Sequence, residues 1–445
     1  MESILSISLK IFKAALFRAN AYEAVKDKLS QRGYFLLVKG EDSIHRKYDL
    51  RRFKRVVVLG AGKASASMSV ACEEILKNRI NEGLIITKYG HSRKLSTIDI
   101  IEAGHPLPDQ AGIEGAQKMV SLLKAAQADD LIIFLTSGGC SALLPLPPAS
   151  ISLAEKQKVT HLLLNAGTPI QEINTVRKHL SLTKGGQLAK LAYPATVINL
   201  ILSDVVGDQL ETIGSGPFVP DSSTFQDAWK VLKKYHLEKK VAPSIVRYFK
   251  RGLSGKIEDT PTKRHPCFNK VAHVIVATNL TAIQAAQEKA AAFGFKPIIL
   301  SSQLQGEARE LAKFYGAMAR EIIKTGHPAQ KPICLLAGGE PTVTVTGKGL
   351  GGRNTELALA MAGELKGLRK IIFLSAGTDG SDGPTDAAGA VVNGLTYSRA
   401  LQKGISPEAY LKENDSYTFF KKAGGLLMTG PTRTNVMDLH ILLVK

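Results

Sequence analysis

Short apolar runs alternate with amphipathic stretches along most of the chain. Apolar residues 56–59 lead into a glycine turn at 60–62, and residues with helical spacing follow. Residues 131–136 repeat that order before a turn at 137–139. A strand, a glycine turn and a helix in succession are typical of βα units whose parallel strands form one doubly wound sheet. The pattern therefore predicts a Rossmann-like α/β/α domain in the N-terminal half.

A second α/β domain is predicted after a polar segment. Residues 251–270 contain prolines and glycines and show no hydrophobic period, which indicates a domain boundary. Apolar strands and amphipathic helices then alternate again up to the C-terminal strand. We therefore predict an N-terminal domain at 1–260 and a C-terminal α/β domain at 261–445.

Length and composition indicate a globular, non-membrane protein. The chain has 445 residues, of which 44% are hydrophobic and 22% charged. No apolar run approaches the roughly 20 residues of a membrane helix, and the cysteines lack the C-x-x-C spacing of zinc sites. Residues 1–29 are amphipathic, with an early acid at Glu2 and no small-residue cleavage signal, which favours a structural helix over a transit peptide. We expect a cytoplasmic location.

The formal net charge of +19 is compatible with nucleic acid, an anionic surface or anionic small molecules as partners. The basic residues are spread along the chain, mostly on predicted helices that also carry Glu or Asp, and aromatic residues make up only 6%. So few aromatic residues do not supply a base-stacking platform. The composition therefore favours anionic small molecules over nucleic acid.

The first candidate anion site is the glycine-rich turn within residues 335–361. An apolar run ends at Gly338-Gly339-Glu340, and the turn then leads to Arg353 and Asn354 at a predicted helix start. Backbone N–H groups, a helix N-terminus and a fixed cation together bind an anion such as phosphate. The alternative is a tight hairpin followed by a helix, but Arg353 and Glu340 on either side of the turn favour function.

A second candidate is Lys63, which follows Gly60 and Gly62 at the start of a predicted helix. The helix dipole favours an anion there, and the ammonium group adds a point charge. Ser65 stands where the dinucleotide fingerprint needs its third glycine, and the spacing is too short for a Walker loop. A solvated surface lysine is the alternative interpretation.

A third candidate is the turn after residues 131–136. Its hydroxyls and backbone N–H groups at a helix start predict an oxyanion or phosphate cradle made by Ser137, Gly138, Gly139 and Ser141. The two serines could instead be ordinary N-caps.

Basic and acidic side chains complete the candidate chemistry. Arg177 and Lys184 lie near a hydroxyl-rich turn. Asp204 directly follows a predicted strand, which is where open α/β sheets place functional groups, and is a candidate metal ligand or general base. Asp379, Asp382 and Asp386 lie on glycine turns after another strand and are candidates for Mg²⁺ or for hydroxyl groups of a substrate.

Read together, these segments resemble the class II glycerate kinase family, which carries a C-terminal domain named after its MOFRL motif. The resemblance covers nearly the whole chain. In chain order, the matching blocks are GAGKAS, GHPLPD, LTSGGCSALL, NTVRKHLS, SDVVGD, GSGP, LAGGEPTVTV, GGRNTE, AGTDGSDGPTDAAGA, NDSYTFF and TNVMD. It implies an N-terminal Rossmann-like domain, a C-terminal MOFRL-type domain with a mixed sheet, and an active site in the cleft between them.

The resemblance also implies an activity and roles for residues. The family transfers the γ-phosphate of ATP to D-glycerate, usually at the 2-hydroxyl, so ATP, Mg²⁺ and glycerate are the expected small-molecule partners. The implied catalytic residues are Lys63, Arg353 and Asp204, and the tentative Mg²⁺ ligands are Asp204 and Asp386. The implied substrate and nucleotide contacts are Gly60, Gly62, Ser137, Gly138, Gly139, Ser141, Arg177, Lys184, Glu340, Asn354 and Asp379.

Alternatives remain open at this point. The family has also been labelled hydroxypyruvate reductase, but an NAD(P)H-dependent enzyme would need the glycine that Ser65 replaces. A non-catalytic protein that binds anionic metabolites is the third hypothesis. The sequence does not distinguish 2- from 3-phosphoglycerate as product, and it leaves a homodimer open. Arg433 stands where the family has a glycine, so its backbone either needs no positive φ or turns differently.

Overall fold

The computed structural model describes residues 2–40 and 45–445, and these form two compact units. The N-terminal unit comprises Ala24–Ser203 and Asp208–Val276. The C-terminal unit comprises Ala277–Lys445, Asp204–Gly207 and the described part of Met1–Glu23. The two-domain α/β prediction is confirmed, but the units differ from 1–260 and 261–445. The first helix groups with the C-terminal unit, and the division near residue 276 follows a strand of the N-terminal sheet.

The strands of the described residues are β1 (Leu29–Arg32), β2 (Phe35–Lys39), β3 (His45–Asp49), β4 (Arg55–Ala61), β5 (Glu82–Lys88), β6 (Asp99–Ala103), β7 (Asp130–Thr136), β8 (Thr196–Leu202), β9 (Val271–Ala277), β10 (Lys296–Leu304), β11 (Ile333–Gly339), β12 (Ile371–Gly377), β13 (Gly389–Asn393), β14 (Leu426–Leu427) and β15 (Asp438–Val444).

The α-helices of the same residues are α1 (Ile4–Ala19), α2 (Ala21–Lys28), α3 (Ser65–Leu76), α4 (Gln110–Lys124), α5 (Cys140–Leu143), α6 (Leu153–Asn165), α7 (Ile170–His179), α8 (Gln187–Ala192), α9 (Phe225–Lys234), α10 (Pro243–Leu253), α11 (Asn279–Ala292), α12 (Ala308–Thr325), α13 (Arg353–Glu364), α14 (Thr396–Gln402), α15 (Pro407–Lys412) and α16 (Ser416–Ala423). Short 3-10 turns lie at Leu50–Arg52, Lys77–Arg79, Val206–Asp208, Ile213–Ser215 and Pro266–Lys270.

The N-terminal unit is built on a sheet in the order β6-β5-β4-β7-β8-β9, which is parallel from β6 to β8. Strands β4 and β7 are apolar and almost wholly buried because helices cover both faces of a doubly wound sheet. An antiparallel sheet of β1, β2 and β3 is added beside this core. The predicted Rossmann-like domain is therefore confirmed, and its strand ends carry the turns of interest.

The C-terminal unit has a mixed sheet in the order β10-β11-β15-β12-β13-β14. Only β10 and β11 pair in parallel, and the other pairs are antiparallel. Helix α1 packs its apolar face against α11 in this unit, with Ile11 and Phe12 buried. Among the described residues, no helix has the combined length and apolar character needed to cross a membrane.

Candidate functional site

The turns that follow β4 and β7 touch each other in the N-terminal unit. The Lys63 N–H donates to Gly138 O (2.8 Å), and the Ala64 N–H donates to Ser137 Oγ (3.1 Å). Gly62 has φ 142°, and a Cβ there would lie 2.0 Å from Ser137 Oγ. Only glycine fits at that crossing, which fixes Lys63 at the start of α3.

The Lys63 side chain lies beside Gly139 and His105. A Cβ on Gly139 would lie 2.8 Å from His105 Cδ2 and 3.3 Å from Lys63 Cγ. Among the described residues, the N–H groups of Gly138 and Gly139 donate to no protein acceptor. Burial, and then the Lys63 charge, lower the pKa of His105 to about 4, so its ring is neutral at neutral pH. This arrangement can receive an anion on Lys63 and two backbone N–H groups.

Two residues predicted to contact the ligand, Ser137 and Gly60, have structural roles in the fold. Ser137 Oγ accepts the Ala64 N–H, which is the capping alternative raised by the sequence. Gly60 lies within β4, where a Cβ would be 2.7 Å from Leu135 O, so it serves close strand packing. Neither observation places a ligand at these two residues.

Ser141, Arg177 and Lys184, which the sequence analysis named as separate candidates, lie together in the structure. Arg177 Nη2 donates to Ser141 Oγ (2.6 Å), and Lys184 Nζ donates to Ser141 O (2.6 Å). Burial and the nearby Arg177 charge lower the pKa of Lys184 to about 7. Two cations therefore converge on one neutral serine at the end of the cradle turn.

In the C-terminal unit, Arg353 begins α13 and pairs with two carboxylates. Its Nε and Nη2 donate to Asp438 (2.6 and 3.2 Å), and its Nη1 donates to Glu340 Oε1 (2.8 Å). Burial alone would lower the pKa of Arg353, but Asp438 and then Glu340 raise it, so the guanidinium stays charged. Glu340, which the resemblance implies as a substrate contact, is bonded to Arg353 in the structure and helps to orient it.

The glycine-rich turn at 341–352 does not form the predicted phosphate cradle. Asn414 Oδ1 accepts the Thr346 and Gly347 N–H groups (both 2.9 Å), and Asp415 Oδ1 accepts the Leu350 N–H (2.9 Å). A Cβ on Gly347 would lie 2.2 Å from the Glu413 backbone. The glycines are needed for packing against residues 413–416, and these N–H groups are already used.

The first turn of α13 is likewise occupied by the protein itself. Asp382 accepts the backbone N–H groups of Asn354 (2.9 Å) and Thr355 (2.8 Å). The Asn354 side chain is buried and bonded to Asp382 and Ser375. Asn354, predicted to contact substrate, thus supports the helix start because its amide has no access to solvent.

The carboxylates predicted after β8 and β12 each have a different hydrogen-bond partner. Asp204 is half-buried and accepts from Asn435 Nδ2 (3.3 Å) within the C-terminal unit. Asp379 Oδ1 accepts from Ser381, whereas the exposed Asp386 accepts from Tyr417 (2.7 Å). Within residues 2–40 and 45–445, no group of three or more His, Cys, Asp or Glu side chains could hold a metal ion.

Two residues that sequence reasoning did not assign, Asp438 and Lys156, prove important, and Asp382, one of the three carboxylates predicted after β12, has a structural contact. Asp438 anchors Arg353, and its position as the last residue of the TNVMD block was the available signal. Asp382 caps α13. Lys156 is buried on α6, at helical spacing from the buried Val159 and Leu163, so a lysine within an apolar stripe marked it.

These features define an anion-binding α/β protein. A parallel sheet delivers a lysine and open N–H groups to its strand ends, and a second sheet carries an arginine fixed by carboxylates. Such sites in α/β folds bind phosphate or carboxylate anions.

Comparisons with known proteins narrow this class. The model described as "Domain of unknown function (DUF4147)" matches residues 7–250, and the MOFRL family model matches residues 333–438. A glycerate 2-kinase of Pyrococcus horikoshii is 42% identical over 442 residues, covering 99% of this chain and 97% of the relative. A protein of Agrobacterium vitis named putative hydroxypyruvate reductase is 40% identical over 394 residues, covering 88% and 99%. A crystal structure of glycerate kinase from Thermotoga maritima matches with TM-score 0.88 and 40% identity, covering 99% of each chain. The chain belongs to the glycerate kinase family with a C-terminal MOFRL domain, which confirms the resemblance.

Proposed function

We propose that the protein transfers the γ-phosphoryl group of ATP to the 2-hydroxyl of D-glycerate, giving 2-phosphoglycerate and ADP. The observation that carries this proposal is the Lys63 turn, where a cation at a helix start adjoins the open N–H groups of Gly138 and Gly139. The glycerate 2-kinase relative supports the choice of substrate.

Phosphoryl transfer depends on positioning and on positive charge around the transferred oxygens. In the N-terminal unit, Lys63 and the two N–H groups supply such charge. In the C-terminal unit, Arg353 is a fixed cation of the same kind. Asp438 and Glu340 hold the guanidinium plane of Arg353, which lowers the entropy lost when it meets a phosphoryl group.

Asp204 is the proposed acceptor of the proton from the glycerate hydroxyl. It lies directly after β8, where functional groups collect in open α/β sheets, and its contact with Asn435 orients the carboxylate. General-base catalysis contributes about 10²–10⁴-fold to a rate. Asp204→Asn should lower kcat by that range, whereas Asp208→Asn, on the next turn, should not; equal losses in both would contradict the assignment.

Mg²⁺ is proposed to enter as part of the MgATP substrate. The ion keeps several waters and phosphate oxygens and needs only one or two protein carboxylates. The half-buried Asp204 fits such a contact, while Asp386 is exposed and bonded to Tyr417. The described residues therefore fit an ion held mainly by phosphates. That ion would neutralise phosphate charge during transfer.

The product identifies the reaction directly. Purified protein with D-glycerate and MgATP should give the phosphorus NMR signal of 2-phosphoglycerate together with ADP. A parallel assay should show no oxidation of NADH or NADPH with hydroxypyruvate. Reductase activity without phosphoryl transfer would overturn the proposal, and the signal of 3-phosphoglycerate would correct the position of transfer.

Catalysis is separated from mere binding by two charge deletions. Lys63→Ala and Arg353→Ala should each lower kcat by about 10²–10³-fold, as expected for lost electrostatic stabilisation of a transition state. Lys348→Met is the matched control, because Lys348 is exposed on the turn that precedes Arg353. Wild-type kcat in both alanine variants would refute the assigned roles.

A further inference from the structure

A cavity of about 270 Å³ lies in the N-terminal unit next to the Lys63 turn. Its apolar wall includes Pro106, Pro108 and Pro145, and its polar wall includes Lys156, Arg177 and Lys184. No Asp or Glu side chain is among the described residues that line it. The cavity therefore has one apolar wall and one wall of basic side chains.

The two lysines are buried, Arg177 is half-buried, and all three cations rest on neutral oxygens. Lys156 is 7% exposed and its Nζ donates to Pro145 O (2.8 Å), while Lys184 is 1% exposed and bonds Ser141 O (2.6 Å). Arg177 bonds Ser141 Oγ (2.6 Å). In the described part of the chain, none of the three forms an ion pair with a carboxylate. A buried charge without a counter-charge is costly, so this cluster needs an anion.

The protonation of the lysines supports this view. Burial, followed by the charges of Lys184 and Arg177, lowers the pKa of Lys156 well below its usual value. The same kinds of effect lower the pKa of Lys184 to about 7. An anion in the cavity would supply the missing opposite charge and favour the protonated lysines.

We propose that this cavity binds the carboxylate of the acceptor acid, which rests on the proposed function and makes D-glycerate the ligand. The cavity is smaller than the roughly 300–1,000 Å³ that encloses drug-sized ligands, so a nucleotide is too large for it. The Arg177 guanidinium offers the planar fork that matches a carboxylate.

The position of the cavity orients the ligand. Ser141 lies two residues after Gly139, where an added Cβ would meet the His105 ring and the Lys63 side chain. A carboxylate between Lys156, Arg177 and Lys184 thus leaves the hydroxyl end of a short acid on the side of Lys63. Lys156 is accordingly a binding residue for the acid, and Lys63 acts on the transferred group.

The first test measures binding without nucleotide. Calorimetry with D-glycerate should show binding to the wild type, weakened about 10- to 100-fold in Lys156→Met, as expected for the loss of a charged hydrogen-bonding group. Ala142→Leu fills the cavity without removing a charge and should weaken binding as well, which covers the case that Lys156→Met does not fold. Lys158→Met, exposed on the same helix, is the matched control. Glycerol, which lacks the carboxylate, should bind no variant.

The second test uses kinetics. In Lys156→Met and Ala142→Leu, KM for D-glycerate should rise by the factor by which D-glycerate binding weakens. KM for ATP should change less than about two-fold. Folded variants that bind D-glycerate like the wild type, or that raise KM for ATP instead, would overturn the inference. Failure of the wild type to bind D-glycerate would also overturn it. If the wild type binds D-glycerate through these residues but forms no phosphoglycerate, the cavity assignment stands and the kinase proposal fails.

Discussion

Arg353 is held by two carboxylates that differ in burial. Asp438 is 1% exposed at its side chain and receives two hydrogen bonds, whereas Glu340 is 47% exposed and receives one. Removing one partner of a buried ion pair is far more costly than removing one of an exposed pair. Asp438 therefore positions Arg353, and the bond to Glu340 is the one that a ligand oxygen can replace at small cost.

This difference predicts unequal effects of two conservative substitutions. Asp438→Asn should lower kcat by about 10²-fold, because the guanidinium loses its buried charged partner and its fixed plane. Glu340→Gln should lower kcat less than about 10-fold, because an exposed pair contributes little. Steady-state kinetics of both variants check this, with circular dichroism as the control for folding. A larger loss in Glu340→Gln would reverse the assignment of the two roles.

Arg433 adopts a backbone conformation that disfavours it. Its φ is 63°, in the left-handed region, so the backbone does adopt a positive φ at the position where the family has a glycine. A non-glycine residue there costs about 1–2 kcal/mol, partly offset because glycine loses more entropy on folding. Arg433→Gly should raise the free energy of unfolding by about 0.5–1 kcal/mol in chemical denaturation. Arg399→Gly, within helix α14, should lower it by about 1 kcal/mol. A destabilised Arg433→Gly variant would show that the Arg433 side chain stabilises the turn.

At the scale of elements, the sequence predicts strands and helix starts better than it predicts what their polar groups contact. The βα units are recognisable because apolar period and glycine turns are local signals. The turn at 341–352 was misread because its glycines avoid clashes with residues 413–416, a contact that spacing does not show. Asp438 was missed for the same reason, since its partner Arg353 is 85 residues away. The contact of Ser141 with Arg177 and Lys184 was not predicted, because the serine and the two cations lie in different segments of the chain.

Helix α1 provides a test of which unit an element stabilises. Phe12 is 1% exposed in α1, whereas Phe17 of the same helix is 66% exposed. Phe12→Ala should lower the free energy of unfolding by about 3–5 kcal/mol, whereas Phe17→Ala should change it by less than about 0.5 kcal/mol. Hydrogen exchange in Phe12→Ala should accelerate in β12 and β15, which α1 also contacts. Acceleration confined to the N-terminal unit would contradict the grouping.

At the scale of the whole molecule, chain order and compact units do not coincide. The described residues up to Glu23 group with the C-terminal unit, although they precede the N-terminal unit in the chain. The segment Asp204–Gly207 also groups with the C-terminal unit, although residues of the N-terminal unit flank it on both sides. A boundary drawn from a polar stretch assumes contiguous domains, so it could not have found these two segments. Because Asp204 itself lies in one of them, the carboxylate proposed as the base belongs to the same compact unit as Arg353.

Acid sensitivity of the folded molecule follows from one buried histidine, His440, and two half-buried ones, His105 and His273. Burial lowers the pKa of His105 and His273 to about 4 and that of His440 to about 3, whereas unfolded histidine titrates near 6.5. Between these values the unfolded chain binds more protons, so the free energy of unfolding should fall as pH falls from about 6.5 towards 4. Burial raises the pKa of Asp438 to about 6 and also raises that of Asp382, which opposes the trend without cancelling three histidines.

Urea denaturation at pH 7, 6 and 5 measures this slope. His273→Asn should make the loss of stability on acidification smaller, because one histidine no longer takes up a proton on unfolding. Phe17→Ala should leave the slope unchanged, because it removes no titratable group and Phe17 is 66% exposed. The comparison uses slopes rather than absolute stabilities, so a general destabilisation by either substitution does not affect it. A wild-type stability that is constant or rises between pH 7 and 5 would show that these histidines are not neutral in the folded protein.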